Sequence, residues 1–192
     1  MKTAEELKED ISFEASLRGN KLKFLSTWGL FSPKSIDDGT YLLIKHIDIK
    51  DGQSILDLGC GYGAMGLAIA KAYPDSTVHL VDKDFVAVEY VSKNIKLNGL
   101  KNCKAYLSNA FSAVGETKFD NIVANLPANA GNEMLYIIMS DSFKHLNRGG
   151  QLVVVTIAGL KEYIKRNFKA IFGNYKKIKQ GRDHTVARAV RD

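Results

Sequence analysis

The amino-acid sequence predicts an α/β fold in which a mostly parallel, seven-stranded sheet is covered by helices on both faces. Short apolar runs alternate with longer helical segments, a glycine-rich turn follows the first of these runs, and the last two runs are separated by a turn of hairpin length. A crossover between parallel strands lays its helix against the sheet, so this alternation predicts helices on both faces. The closing hairpin adds antiparallel strands at one edge.

The elements are predicted from the period of the apolar residues and from the helix-stop signals. The parallel strands are predicted at 54–58, 77–81, 103–107, 119–124 and 151–157. The helices between and after them are predicted at 63–73, 84–97, 131–146 and 159–172. Strands 175–179 and 185–190, joined by the turn 180–184, form the hairpin.

Two helices are predicted ahead of the first strand, an acidic one over residues 3–16 and a short one over residues 38–46. The chain has three prolines and no repeat or low-complexity stretch, so nothing suggests a linker. We therefore expect residues 1–192 to form a single domain, in which residues 1–50 are a helical flank and residues 51–192 are the α/β core.

The charge of the chain is concentrated near its C-terminus. Residues 161–192 hold ten Lys and Arg against three acidic residues, a net +7, whereas the whole chain carries +6. A basic face attracts phosphate groups, although lysines also cover ordinary solvated helices. The charge alone therefore leaves nucleic-acid binding open.

Composition argues against several other classes of protein. No apolar run is long enough for a membrane span or a signal peptide, which predicts a soluble cytoplasmic protein. The two cysteines, Cys60 and Cys103, have no zinc or disulfide spacing, so we expect reduced thiols in the core. The four histidines are scattered along the chain and are interpreted as structural or surface residues, so no metal site is expected.

A glycine-rich loop, Asp57-Leu-Gly-Cys-Gly-Tyr-Gly63, lies where the first strand meets the first core helix. Glycines there let the backbone turn sharply and approach a ligand, which predicts a nucleotide-cofactor loop in a Rossmann-like, doubly wound sheet. Asp82, which directly follows the predicted second strand, is placed to accept hydrogen bonds from ribose hydroxyls.

Two cofactor classes fit this loop. The segment Gly61-Tyr-Gly-Ala-Met-Gly66, with Asp82 further on, also matches the dinucleotide pattern. Asp57 favours a ligand that carries an ammonium group, because a carboxylate would repel a pyrophosphate. The alternative for Asp57 is a structural one, in which its side chain caps a nearby loop amide.

Taken together, these residues resemble the small-domain class I methyltransferases that use S-adenosylmethionine, and are similar to the enzymes that methylate guanine N2 in small-subunit ribosomal RNA. The resemblance covers residues 29 to 192. The segments that carry it are Gly29-Leu-Phe-Ser32, Asp37-Asp-Gly-Thr40, Leu42-Leu-Ile44, the glycine loop, Asp82, Ser108-Asn-Ala-Phe111 and Phe119-Asp-Asn-Ile-Val-Ala-Asn-Leu-Pro127.

The resemblance implies a role for individual residues. Asp57 and the loop glycines would hold the methionine end of S-adenosylmethionine. Asp82 would hold its ribose, and Asn109 and Ala110 would line its adenine. The cofactor contacts implied in this way are Phe31, Thr40, Asp57, Gly59, Cys60, Gly61, Gly63, Asp82, Lys83, Asn109, Ala110 and Asn125. The catalytic segment would be Asn125, Leu126 and Pro127, where the Asn125 oxygen and the following carbonyl accept the two hydrogens of a planar NH2 group.

The sequence departs from the Asn-Pro-Pro-aromatic motif of the family at two positions, since it reads Asn125-Leu126-Pro127-Ala128. Leu126 is tolerable because any residue supplies a main-chain carbonyl. Ala128 removes the ring on which the target base would stack, an interaction worth about 1 to 3 kcal/mol. The rings that could replace it are Phe111, Trp28 and Tyr136, each of which could equally be a core residue.

Four functions remain open from the sequence, one of which is a nicotinamide-dependent enzyme, the class that the dinucleotide pattern would indicate. The first of the other three is methylation of an exocyclic amine in RNA, with the basic C-terminal face holding phosphates and the target base flipped into the pocket. The second is methylation of a glutamine amide in a protein, which presents the same NH2 group. The third is a non-catalytic RNA-binding module that retains the cofactor fold. The sequence does not predict an oligomeric state.

Overall fold

The computed structural model describes residues 3–6 and 9–192. In these residues the chain forms nine strands and five α-helices. In chain order they are β1 (Ile11–Leu17), β2 (Asn20–Ser26), α1 (Asp38–His46), β3 (Ser54–Leu58), α2 (Ala64–Ala72), β4 (Thr77–Asp82), α3 (Phe85–Leu97), β5 (Cys103–Leu107), β6 (Phe119–Asn125), α4 (Asn132–His145), β7 (Leu146–Ile157), α5 (Lys161–Phe172), β8 (Lys176–Gln180) and β9 (His184–Val190).

Seven of the strands form one sheet in the order β5-β4-β3-β6-β7-β9-β8. Strands β3 to β7 are parallel, whereas β9 pairs antiparallel with β7 and β8 antiparallel with β9. The predicted fold class is confirmed, and each predicted element from Ser54 onward is present. The largest difference is at β7, which begins at Leu146 rather than at Gln151.

Apolar side chains cover both faces of the sheet. Ile55 packs with α1, α2 and α3, and its neighbour Leu56 packs with α4 and α5 on the opposite face; both side chains are fully buried. Successive residues of a strand point to opposite faces, so a strand buried on both sides reads as a continuous apolar run. This explains why the short runs in the sequence predicted the parallel strands.

The predicted N-terminal helix over residues 3–16 is wrong. Ile11–Leu17 and Asn20–Ser26 form an antiparallel hairpin, so residues 1–50 are not a purely helical flank. Arg18 and Gly19 both have positive φ (49° and 78°), as a tight hairpin turn requires. Residues 7 and 8, which the prediction also included, lie outside the described residues.

The hairpin is attached to helix α3 by two asparagines. Asn94, which is fully buried, accepts a hydrogen bond from Leu25 N (2.7 Å) and donates to Leu25 O and Tyr62 O (2.9 Å each). Asn98, which is half-buried, pairs in the same way with the backbone of Lys23, through hydrogen bonds that are exposed to solvent. These amides satisfy backbone groups on β2 that a neighbouring strand would otherwise pair.

We expect Asn94→Ala to lower the free energy of unfolding by about 3 kcal/mol, because it leaves buried backbone groups without partners. Asn98→Ala makes the matched control, since water can replace its exposed bonds, and we expect a loss below about 1 kcal/mol. Urea denaturation of the two variants measures both effects. Equal losses would contradict this account of how the hairpin is held.

No helix in the part of the chain that the structure covers is long and apolar enough to cross a membrane.

Candidate active site

The candidate site lies at the carboxyl edge of the sheet, where the strand order reverses. Strand β3 pairs with β4 on one side and with β6 on the other, so the loops that follow β3 and β6 diverge there. In doubly wound sheets this crevice is where ligands bind. The structure brings the loops after β3, β4, β5 and β6 to this edge, together with the segment between β2 and α1.

The glycine loop after β3 adopts backbone angles that favour glycine. Gly59, Gly61 and Gly63 have φ values of 72°, 54° and 96°. A Cβ on Gly63 would lie 2.1 Å from a Leu67 methyl carbon, so this residue must be glycine for packing. A Cβ on Gly59 or Gly61 would meet nothing within 4 Å, so this side of the loop is open to a ligand.

Asp57 lies one residue before the end of β3, inside the protein and with no exposed surface. One carboxylate oxygen accepts a hydrogen bond from Gly66 N (2.7 Å), while the other, Oδ1, is buried without a partner among the described residues. The alternative role of Asp57, in which its side chain caps a backbone amide, therefore accounts for only one of its two carboxylate oxygens. Burial raises the pKa of Asp57 to about 7; the Gly66 N–H opposes this shift and the nearby charge of Asp82 adds to it.

Asp82 lies at the end of β4 and faces the glycine loop. Its two oxygens accept hydrogen bonds from Gly61 N (2.9 Å) and Asp84 N (3.0 Å). Each carboxylate oxygen can accept more than one hydrogen bond, so Asp82 is fixed in place and can still bind hydroxyl groups. Lys83 follows it directly and is the first residue beyond the strand.

The loop after β5 is held beside Asp82. Ser108 N donates to Asp82 O (2.8 Å), and the Ser108 hydroxyl donates to Ala110 O (2.7 Å), where Ala110 has φ 49°. Asn109, between them, is exposed. The residues implied as adenine contacts therefore lie at the same edge as Asp82.

Asn125 is the last residue of β6. Its amide nitrogen donates to Asp37 Oδ2 (3.0 Å) and to Thr40 Oγ1 (2.9 Å). The next residue, Leu126, is buried and donates its N–H to Val155 O (3.0 Å), which holds the segment against β7. Pro127 and Ala128 are exposed.

Asp37 is the residue at this site whose role the sequence analysis missed. It is the N-cap of α1 and accepts a hydrogen bond from Thr40 N (3.0 Å). The signal that could have identified it is an aspartate immediately before a predicted helix. Its contact with Asn125, 88 positions away in the chain, has no local sequence signal.

The segment between β2 and α1 is tied to the glycine loop. Tyr62 donates its hydroxyl hydrogen toward Ser32 O and Ser35 O (3.2 and 3.1 Å), and Phe31, next to Ser32, is 70% exposed. Thr40 is buried, and its hydroxyl is occupied by the Asn125 amide. Direct cofactor contact by Phe31 or Thr40 remains a prediction.

The three rings that could replace the missing aromatic differ in how far they are exposed to solvent. Phe111 is buried and stacks on His145, with ring centroids 4.5 Å apart, so it is a core residue. Trp28 is 39% exposed with the Lys34 ammonium over its ring, and Tyr136 on α4 is 48% exposed. Trp28 and Tyr136 remain candidates for stacking on a base.

Burial shifts the pKa values of both cysteines and of His79. Cys60 is buried and Cys103 half-buried, and burial raises the pKa of both thiols. Burial lowers the pKa of His79 to about 4, assisted by the charge of Lys104. Within residues 3–6 and 9–192 no three His, Cys, Asp or Glu side chains are grouped as a metal site would need.

Comparisons with known proteins give the family. The model of the methyltransferase small domain matches residues 21–188. The protein YbxB of Bacillus subtilis is 38% identical over 141 residues, which cover 72% of this chain and 70% of that protein. The ribosomal RNA small subunit methyltransferase C of Haemophilus influenzae (strain PittGG) is 36% identical over 143 residues, which cover 72% of this chain and 43% of that protein.

A solved methyltransferase structure indicates the same family as these sequence relatives. The Thermus thermophilus 16S rRNA N2 G1207 methyltransferase, in complex with S-adenosylmethionine and guanosine, superposes with a TM-score of 0.87 and 26% identity, over 95% of this chain and 51% of that one. This chain therefore spans about half the length of the ribosomal RNA methyltransferases that it matches. The resemblance drawn from the sequence is confirmed, and this chain belongs to the methyltransferase small domain family.

Proposed function

We propose that this protein transfers the methyl group of S-adenosylmethionine to the exocyclic N2 amine of a guanine in RNA, with small-subunit ribosomal RNA as the first candidate. The observation that carries the proposal is the Asn125 side chain. Both hydrogens of its amide are engaged by Asp37 and Thr40, so its oxygen remains as an acceptor at the same edge as the glycine loop. The names of the relatives support the choice of guanine and of ribosomal RNA.

The residues present fit the cofactor. Asp57 has a buried oxygen without a protein partner, which suits the ammonium group at the methionine end of S-adenosylmethionine. Gly59 and Gly61 leave open space beside it, and Asp82 can accept hydrogen bonds from ribose hydroxyls. When bound, S-adenosylmethionine supplies an electrophilic methyl group on its sulfonium. The other implied contacts, from Phe31 to Ala110, remain part of this proposal.

The acceptor amine has to be positioned, because the N2 nitrogen of guanine is conjugated with the ring and is a poor nucleophile. Asn125 Oδ1 and the Leu126 carbonyl would accept its two hydrogens and direct its lone pair into the cleft. Positioning of this kind supplies a large part of a rate enhancement. The nitrogen would become cationic as its bond to the methyl carbon forms and the bond from that carbon to sulfur breaks, with S-adenosylhomocysteine as the leaving group. The nitrogen would then release a proton to water, so the proposal requires no metal ion and no covalent enzyme intermediate.

The basic C-terminal residues support RNA as the partner. Lys161 begins α5 after a short 3-10 turn, Ala158–Leu160, that follows β7, and Arg182 lies in the turn that precedes β9. His184, the first residue of β9, pairs with Ile157 at the carboxyl end of β7, so both cations lie at the edge that holds Asn125. They are placed to contact phosphates beside an inserted base. A cytoplasmic location is part of the same proposal.

A labelling experiment tests the proposal. The protein is incubated with methyl-labelled S-adenosylmethionine and either unmodified small-subunit ribosomal RNA or total protein, and the products are digested to nucleosides or amino acids. We expect the label in N2-methylguanosine. Label only in methylglutamine would make the protein the acceptor, and RNA binding without any transfer would identify a non-catalytic module. Either result would refute the proposed function.

A further inference from the structure

The orientation of the Asn125 amide is fixed by its partners. A carboxylate carries no hydrogen to donate, so the atom that Asn125 directs toward Asp37 must be its nitrogen. The second hydrogen of the same NH2 group is taken by the Thr40 hydroxyl oxygen. A flipped amide would place its oxygen against the Asp37 carboxylate, which is a repulsive contact.

Asp37 and Thr40 are themselves held in place. Asp37 Oδ2 receives the Thr40 N–H as well as the Asn125 amide, so the three residues form a closed network at the start of α1. Gly39 lies between this network and His184. A Cβ at that position would lie 2.7 Å from His184 Cδ2 and 3.0 Å from Asp37 Oδ2, so glycine here lets His184 pack closely against the network.

We infer that Asp37 and Thr40 are positioning residues for methyl transfer, which hold Asn125 with its oxygen facing the acceptor amine. The inference rests on the proposed function, because the amine is the group that the oxygen would meet. Both residues act through Asn125. The negative charge of Asp37 also polarises the amide, and a polarised amide oxygen is a stronger acceptor.

The chain offers variants that separate this role from a structural one. Asp37→Ser keeps a good N-cap for α1 but is too short to reach Asn125. Thr40→Val removes the hydroxyl and keeps the branched shape, whereas Thr40→Ser restores the hydroxyl. Asp38→Asn is the matched control, because it removes an exposed carboxylate from the same helix turn.

We expect Asp37→Ser to lower kcat by about 100-fold, with the dissociation constant of S-adenosylmethionine unchanged, since misplacement of a positioning group can cost that much. Thr40→Val lowers kcat by about tenfold, a smaller loss because Asp37 still sets the orientation. Thr40→Ser recovers most of the rate that Thr40→Val loses, because it restores the hydroxyl, and Asp38→Asn keeps the wild-type kcat. In an Asn125→Ala background, Asp37→Ser causes no further loss, because residues that act through one group are not additive.

Nuclear magnetic resonance supplies a readout that does not depend on activity. The side-chain NH2 signals of Asn125, assigned by their loss in Asn125→Ala, should be protected from exchange in the wild type and lose that protection in Asp37→Ser. The inference would be overturned if Asp37→Ser kept the wild-type kcat, or if the Asn125 NH2 group stayed as protected from exchange in Asp37→Ser as in the wild type. It would also be overturned if Asp37→Ser lowered kcat in the Asn125→Ala background by as much as it does in the wild type.

The outcomes separate the inference from the proposed function. If the wild type methylates an NH2 group other than guanine N2, the proposed function fails, and the same variants are measured on that acceptor. If the wild type methylates guanine and Asp37→Ser is as active, only the inference fails. A wild type that transfers methyl groups to nothing would overturn both.

Discussion

Replacing Asn125 by alanine is expected to lower kcat for methyl transfer by about 10² to 10³-fold. Removing one hydrogen-bond donor from the oxyanion hole of a protease causes a loss of similar size. The variant keeps the cleft but removes the oxygen that would accept a hydrogen from the target amine. Because this oxygen acts on the acceptor, the affinity for S-adenosylmethionine should stay at the wild-type value.

Single-turnover kinetics measures the first expectation and isothermal titration calorimetry the second. Asn147→Ala is the matched control, since Asn147 donates its amide to Asp120 (2.8 Å) near the amino end of β6, away from the site. We expect this control to retain wild-type kcat. An Asn125→Ala protein that turns over at the wild-type rate would show that Asn125 does not handle the acceptor.

The second large effect is expected at Asp57. Asp57→Asn should weaken the binding of S-adenosylmethionine by about 10- to 100-fold, because a charged hydrogen bond contributes about 1.5 to 3 kcal/mol. The pKa of Asp57 is raised to about 7 in the free protein, so a proton competes with the cationic ligand below that pH. Wild-type affinity should therefore fall as the pH drops from 8 to 5, whereas the affinity of Asp57→Asn should be nearly independent of pH.

The same carboxyl affects stability with the opposite dependence on pH. Its pKa in the folded protein, about 7, lies above the ordinary value of 3.8, so the folded state holds the proton more tightly than the unfolded state. Its contribution favours folding most below pH 4 and is lost as the pH rises toward 7. At pH 8 the buried charge destabilises the empty protein, so Asp57→Asn should be the more stable form there, by an amount that shrinks as the pH falls to 5.

Thermal unfolding between pH 5 and 8 measures this difference in stability. A saturating concentration of S-adenosylmethionine should make the wild type the more stable form at pH 8, because the ligand stabilises the wild type more than the weaker-binding variant. This pattern, a residue that destabilises the empty protein but strengthens ligand binding, is common at functional sites. An Asp57→Asn protein that binds the cofactor as well as the wild type at pH 8 would remove Asp57 from the site.

The core elements could be predicted because their signals are local. Buried parallel strands such as β3 (Ser54–Leu58) read as short, mainly apolar runs, and Asp84 marks the start of α3 by capping Val86 N (2.8 Å). The N-terminal hairpin was missed because the acidic residues ahead of Ile11 suggested a helix. The alternation of Ile11, Phe13 and Ala15 has the period of a strand, but the acidic residues ahead of it favoured a helix in the prediction.

The candidate site was predictable where its residues sit at strand ends. Asp82 and Asn125 each end a parallel strand, Asp57 lies one residue before the end of another, and such ends meet at one edge of a sheet. The partners of Asn125 were not predictable in the same way. Asp37 and Thr40 reach it across the sheet edge through tertiary contacts, and no spacing in the sequence encodes such contacts.

One cleft is expected to bind S-adenosylmethionine through Asp57 and Asp82 and to present an amine to Asn125. A crystal structure with S-adenosylhomocysteine and guanosine bound would show whether it does. We expect ribose hydroxyls on the Asp82 carboxylate and the guanine N2 amine within hydrogen-bond distance of Asn125 Oδ1. Either an empty cleft at saturating ligand or a guanosine bound away from an Asn125 that still faces Asp37 would contradict this expectation.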